Sequence, residues 1–183
     1  ELGMTNPHFS RITDYRDVES LNMFAELRAN GREPDELLAI LASKSRDNGR
    51  TPMQWDASHN AGFTEGEPWI GVCDNYETVN ARAALDDPDS VFYTYQSLIS
   101  LRKTLPVLTW GDYEDLLPEH PSLWAYRRQW QGQTLVVVAN LSHTSQEWET
   151  DVLSGQPQVL MSNYPTPQTT SLRPFEAVWW LQQ

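Results

Sequence analysis

Through the first hundred residues, apolar positions recur at three- and four-residue steps. Val18, Leu21, Phe24, Ala25 and Arg28 keep that spacing and predict a helix over 14–30. Thr13 or Asp14 is placed to cap its free N–H groups, and Gly31 to end it. Residues 34–45 predict a second helix: Pro34 suits the first turn, Asp35 and Glu36 suit its positive end, and Leu37, Leu38 and Leu41 form the stripe. Asn48-Gly49 breaks it. The strongest helical pattern is 89–104, with Asp87 or Asp89 as cap. Val91, Tyr95, Leu98, Ile99 and Arg102 share one face, and Pro106 forbids continuation. Residues 56–86 show no period, and so long a loop is expected to be functional or pinned to a neighbour.

After Pro106 the period drops to two. Strands are predicted near 113–117, 122–130, 133–140, 146–152, 157–162 and 175–182, with turns at Gln131-Gly132 and Ser154-Gly155. The continuous apolar run TLVVVAN fits a strand covered on both faces, and FEAVWWLQ at the terminus is similar. Six short strands in about 75 residues predict a β-sandwich. The chain therefore divides near residue 107. The first part has apolar helix faces but no strand of its own to cover them. The opening ELGMTNPHF also reads as a mid-loop start, so a fragment of a larger protein is expected.

Composition narrows the function classes. Eight Trp, seven Tyr and five Phe in 183 residues support packed cores rather than disorder. A net charge of −12 without a basic stripe argues against DNA or RNA as partner, although a few arginines in a pocket still permit an anionic metabolite. No apolar run approaches the roughly 20 residues that span a bilayer, so no membrane association is expected, and no signal peptide is visible. The lone Cys73 rules out a disulfide within the chain and fits a reducing cytosol. It reads as a small buried hydrophobe.

No metal site is predicted, because His8, His59, His120 and His143 are scattered. No phosphate loop, dinucleotide fingerprint or G-x-S-x-G occurs. The carboxylate clusters Asp14/Asp17/Glu19, Glu65/Glu67 and Asp86/Asp87/Asp89 do not resemble the pair about 5–5.5 Å apart that a retaining glycosidase needs; most read as caps or solvated faces. Glu19 differs, since its place beside Val18 aims it along a helix edge toward a cleft.

RDNGRTPMQW, residues 46–55, suits neither a helix interior nor a strand. Its two arginines stand four apart and can share a face for one turn. Asp47 is placed to hold one of them through a bidentate pair, Pro52 fixes the exit, and Trp55 can anchor the loop on a core. Two readings stand level: a rigid loop presenting guanidinium donors to a sugar hydroxyl or phosphate, or an internal salt bridge that only shapes the loop.

The succession ELGMTNP, YRDVESLN, RDNGRTPMQW, NAGFTEGEPWI, FYTYQSLISLRK and LRPFEAVWWL resembles the oligo-1,6-glucosidase group of glycoside hydrolase family 13, the α-amylase family, over essentially the whole chain. The wording is nearest to the branch that acts on trehalose 6-phosphate. The resemblance implies a (β/α)8 barrel with a C-terminal antiparallel β-sandwich, of which this chain is the final third. Residues 1–106 would form the end of the barrel, including the long excursion after its eighth strand and its last helix, and 107–183 the sandwich. It implies a retaining glycosidase that gives glucose and glucose 6-phosphate without a cofactor. The catalytic Asp, Glu and Asp would lie upstream of Glu1, leaving this chain inactive alone and dependent on the missing N-terminal barrel. Arg46 resembles the arginine that hydrogen-bonds the non-reducing glucose, Arg50 its supporting companion, and Glu19 a carboxylate lining the next subsite. Gly49 departs from the usual Ala or Ser. An oligo-1,6-glucosidase or α-glucosidase is the alternative within the family. A non-catalytic carbohydrate-binding sandwich is the alternative outside it, favoured by aromatic platforms on an exposed sheet face and disfavoured by buried aromatics.

Overall fold

The computed structural model describes residues 2–148, 151–153 and 155–183. The chain forms two compact units, Glu1–Ser97 and Leu98–Gln183.

In the first unit, helices α1 (Val18–Ala29) and α2 (Pro34–Lys44) are followed by a 3-10 turn, Arg46–Gly49. A second such turn, His59–Gly62, and a short helix α3 (Ala81–Asp86) follow within the long irregular segment. The expected first helix begins later than its periodicity suggests. Residues 12–14 form their own 3-10 turn, Asp14 is engaged by Arg11 at 2.8 Å, and the cap is Asp17, whose carboxylate accepts from the Ser20 amide at 3.1 Å. Asn80 caps α3 in the same way, a start the sequence reading missed. Asp87 does not cap the next helix; its carboxylate accepts from the Asp89 amide ahead of it.

Burial is uneven. On α2, Leu37 and Leu41 are buried. On α1 only Ser20 is buried, and Val18 at the head of the predicted stripe is exposed. Helix α4 (Val91–Thr104) buries none of its residues fully, and its Val91, Tyr95 and Ile99 are 41%, 46% and 51% exposed. These are among the residues the periodicity assigns to one face, so that face is left about half exposed.

In the second unit, a four-residue helix α5 (Val107–Trp110) precedes strands β1 (Asp112–Asp115), β2 (Leu123–Trp130), β3 (Gln133–Asn140), β4 (Gln146–Glu147), β5 (Gln158–Ser162), β6 (Ser171–Leu172) and β7 (Ala177–Gln182). Five of them make an antiparallel sheet in the order β1-β2-β3-β7-β5, while β4 and β6 pair as a separate ribbon. One face of the sheet packs Val136, Val138, Val178 and Trp180 against Trp148 and Leu172 beside the ribbon strands. The other face packs Leu135, Val137 and Leu181 against Val107 and Leu108, with Leu101 near the end of α4 and Leu105 just after it. The apolar run on β3 is thus covered on both sides, as its lack of alternation predicts. The result is a lopsided sandwich of five strands against two.

The β2–β3 turn uses Gln131 and Gly132, both at positive φ (47° and 85°), the geometry of a tight two-residue hairpin. Residue 154 of the expected Ser154-Gly155 turn and residues 149 and 150 of the expected 146–152 strand lie outside the described residues; in the rest of that span only Gln146–Glu147 form a strand, shorter than expected. Strand β6 was not anticipated, because two residues carry no period. The sandwich aromatics divide: Trp148 and Trp180 stack inside, with centroids 6.1 Å apart, whereas Tyr113 and Trp124 lie on the surface.

Candidate functional site

The site begins with local capping. Asp17 ends an extended stretch and turns its carboxylate back on α1, accepting from the Ser20 amide and, at 2.9 Å, from the Ser20 hydroxyl. These bonds, with Arg46 and Arg50 nearby, hold the Asp17 carboxyl below the usual aspartate range. Glu19 then falls in the first turn of α1, where the helix dipole favours a negative charge.

Ser45 caps the second element. Its hydroxyl accepts from the Asp47 amide at 3.2 Å and meets the Ser20 hydroxyl at 2.9 Å, which joins the turn to α1. Asp47 is fully buried, and its Oδ2 accepts from the amides of Arg16 at 2.6 Å and Asp17 at 2.9 Å. Arg50 Nη1 stands 3.6 Å from Asp47 Oδ1 and 3.8 Å from Asp17 Oδ1. Arg46 Nη2 lies 3.0 Å from Glu19 Oε2, with the two side chains 67% and 73% exposed. Glu19 and Arg46 line a cleft of about 350 Å³ whose walls include Met23 of α1 and Ile40 and Leu41 of α2.

All three residues singled out in the sequence therefore gather around the start of α1, but they divide into two kinds. Arg46 and Glu19 face outward as a solvent-exposed pair. Arg50 is turned toward two buried carboxylates. The four-residue helical spacing does not relate the arginines: the turn is 3-10, it ends at Gly49, and Arg50 follows it with φ −118° and ψ 4°. Nor does Asp47 grip an arginine with both oxygens, because one oxygen is taken by two backbone amides that would otherwise be buried without partners. Trp55 is no anchor within this chain; its ring is half exposed, and the exit is held by buried Pro52 and Gln54 instead. The Gln54 amide donates to the Val79 carbonyl and to Asn75. At Gly49 the φ is negative and an added Cβ would meet nothing within 4 Å, so the departure from Ala or Ser imposes no local demand.

Sequence reasoning missed the cap Asp17 and the serine pair Ser20/Ser45. The signal for Asp17 was present as an Asp three residues before a Ser at a helix start. The Ser20–Ser45 contact spans 25 residues and has no local signature. Cys73 is buried, its sulfur 3.4 Å from the Thr5 carbonyl and 3.6 Å from the Thr51 hydroxyl, and burial raises its pKa. Among the described residues, no group of His, Cys, Asp or Glu is arranged to hold a metal ion, and no helix is long and apolar enough to cross a membrane.

Known proteins are similar to this chain in sequence and fold. Residues 1–111 match the alpha amylase catalytic domain, and 113–179 match the maltogenic amylase C-terminal domain. The chain is 66% identical to a trehalose-6-phosphate hydrolase from Escherichia coli, across 100% of this chain and 34% of the relative. It is 45% identical to an oligo-1,6-glucosidase from Halalkalibacterium halodurans, across 97% of this chain and 33% of the relative. The crystal structure of Bacillus licheniformis trehalose-6-phosphate hydrolase superposes with a TM-score of 0.93 at 42% identity, covering 98% of this chain and 34% of that one. The chain thus spans about a third of the length of these relatives. With its helical part matched by the catalytic domain and its sheet by the C-terminal domain, the chain belongs to the alpha-amylase family of glycoside hydrolases.

Proposed function

We propose that the chain is the C-terminal part of a retaining glycosidase that cleaves trehalose 6-phosphate into glucose and glucose 6-phosphate. In this reading residues 1–106 complete the catalytic barrel and 107–183 form its sandwich domain. The observation that carries it is the Arg46–Glu19 pair, 3.0 Å apart and open to solvent on the lining of a cleft. It is supported by 66% identity to a relative of that activity.

The geometry suits carbohydrate. A guanidinium offers a planar fork of N–H donors that adjacent ring hydroxyls can accept, and a carboxylate accepts from a hydroxyl in return. Salt-bridged to each other, Arg46 and Glu19 are held ready without either being buried. A sugar that replaces water around them gains bonds of the charge-assisted kind, about 1.5–3 kcal/mol each. Arg50 supports the loop from behind. The chemistry itself, a nucleophilic carboxylate and an acid/base carboxylate on either side of the glycosidic bond, belongs to the barrel portion upstream. That portion is the partner this chain requires, and the half-exposed apolar face of α4 is consistent with it. The substrate is then a small sugar phosphate handled in the cytoplasm, with no cofactor.

The test is made on the whole enzyme. Arg46→Lys and Glu19→Gln each lower kcat/KM for trehalose 6-phosphate by about 10- to 100-fold, mostly through KM. This chain alone hydrolyses nothing. Wild-type rates in both variants would refute the assignment of the pair. The 45% identity to an oligo-1,6-glucosidase supports a second substrate reading, and preference for isomaltose over trehalose 6-phosphate would select it.

A further inference from the structure

The side chain that does most to fix the cleft never reaches it. Asp47 is fully buried, yet it joins its own turn to the stretch that leads into α1. Its Oδ2 accepts from the amides of Arg16 and Asp17, the two residues that lead into α1. Its Oδ1 faces Arg50. Its own amide donates to Ser45, whose hydroxyl meets Ser20 on the first turn of α1. The loop that carries Arg46 and the helix turn that carries Glu19 are therefore fastened to each other twice, once by a carboxylate and once by a hydroxyl pair. Arg46 and Glu19 sit 27 residues apart in sequence, and the ion pair between their side chains is exposed. An exposed pair of that sort contributes at most about 1 kcal/mol, too little to set a geometry.

We propose that Asp47 is a positioning residue: it sets the distance between Arg46 and Glu19 by clamping the start of α1 to the arginine turn, and so acts on substrate through that pair. This rests on the assignment of Arg46 and Glu19 to sugar binding. Asn is the informative replacement. Its carbonyl oxygen can accept from the Arg16 and Asp17 amides, but its NH2 then faces Arg50, donor against donor. Asp47→Asn keeps the size of the side chain but replaces the charge-assisted bonds to the two amides with weaker neutral ones and loses the hold on Arg50, so the clamp loosens.

The experiment is a double-mutant cycle in the whole enzyme, with initial rates on trehalose 6-phosphate. Asp47→Asn and Arg46→Lys each reduce kcat/KM by about tenfold or more, chiefly by raising KM. The double variant falls less than threefold below the worse single variant, because the clamp has nothing left to position. The unfolding midpoints of the same proteins add independently. A general loss of structure predicts the opposite: activity losses that multiply, with kcat falling alongside stability. Losses that multiply, or an Asp47→Asn enzyme within twofold of wild type, overturn the proposal. If Asp47→Asn does not fold, Ser45→Ala decides on the same cycle, because it removes the acceptor of the Asp47 amide together with the hydroxyl link to Ser20 while leaving the Asp47 carboxylate in place; additivity with Arg46→Lys again overturns the proposal. If Arg46→Lys itself is silent, the sugar-binding assignment falls. If Arg46→Lys is impaired and Asp47→Asn is not, only the positioning role falls.

Discussion

On α4, Val91, Tyr95 and Ile99 lie at steps of four and are 41–51% exposed. A face of that composition is normally covered, and in a larger enzyme it would be. Full burial of a large apolar side chain is worth about 1.5–3 kcal/mol. Roughly half of each surface remains to be buried, so about 1 kcal/mol per residue is still to be gained, or about 3 kcal/mol for the three. Replacing Tyr95 and Ile99 with Ser should therefore behave differently in two settings. In this chain by itself, urea unfolding followed by circular dichroism shifts by about 2 kcal/mol, for the half of each side chain that is already buried. In the whole enzyme the same pair costs about 2 kcal/mol more from lost transfer alone, and further where cavities remain. Equal costs in the two settings would refute the inference that a further part of the polypeptide covers this helix.

Other outcomes follow from single sites. Glu176 is buried, and its carboxylate accepts from the Arg173 guanidinium and backbone amide, which holds its pKa below the ordinary glutamate value. Its contribution is complete above that ordinary value and is lost as pH falls through the lowered folded one; Glu176→Gln should flatten the acid limb of a stability-versus-pH curve below about pH 4.3. An added Cβ at Gly111 would stand 2.5 Å from the Val107 carbonyl and 3.1 Å from Arg128 Cβ, so Gly111→Ala should lower the unfolding free energy by about 1–3 kcal/mol, and an unchanged urea midpoint would count against that packing. Gln131 holds φ 47° in the β2–β3 turn, a position that Asn adopts more readily, so Gln131→Asn should raise the melting temperature by a few degrees.

Much of the fold was legible because period tracks burial. Leu37 and Leu41 on α2, and the unbroken apolar run of β3, are buried as their spacing implies. The same rule read from α4 gives a face that is left about half exposed. Short elements escaped: α3, α5 and β6 are six, four and two residues long, below the length at which a period can be counted. Around the cleft, residue types pointed to Arg46, Arg50 and Glu19, and the structure brings them to the start of α1. What the sequence did not reveal is how they are held. Two amides donating to one buried carboxylate, and two serine hydroxyls meeting across 25 residues, are tertiary facts without a local pattern. The expectation that Asp47 would grip an arginine failed for the same reason: buried amides competed for its oxygen, and these outrank a side chain that can reach water.

The most direct test of the central claim is a crystal structure of the whole enzyme, disabled at its catalytic carboxylates and soaked with trehalose 6-phosphate. Arg46 Nη and Glu19 Oε should each lie about 2.7–3.2 Å from sugar hydroxyls, with Asp47 still holding the amides of residues 16 and 17. A bound sugar with both side chains left in solvent, touching only each other, would contradict the account.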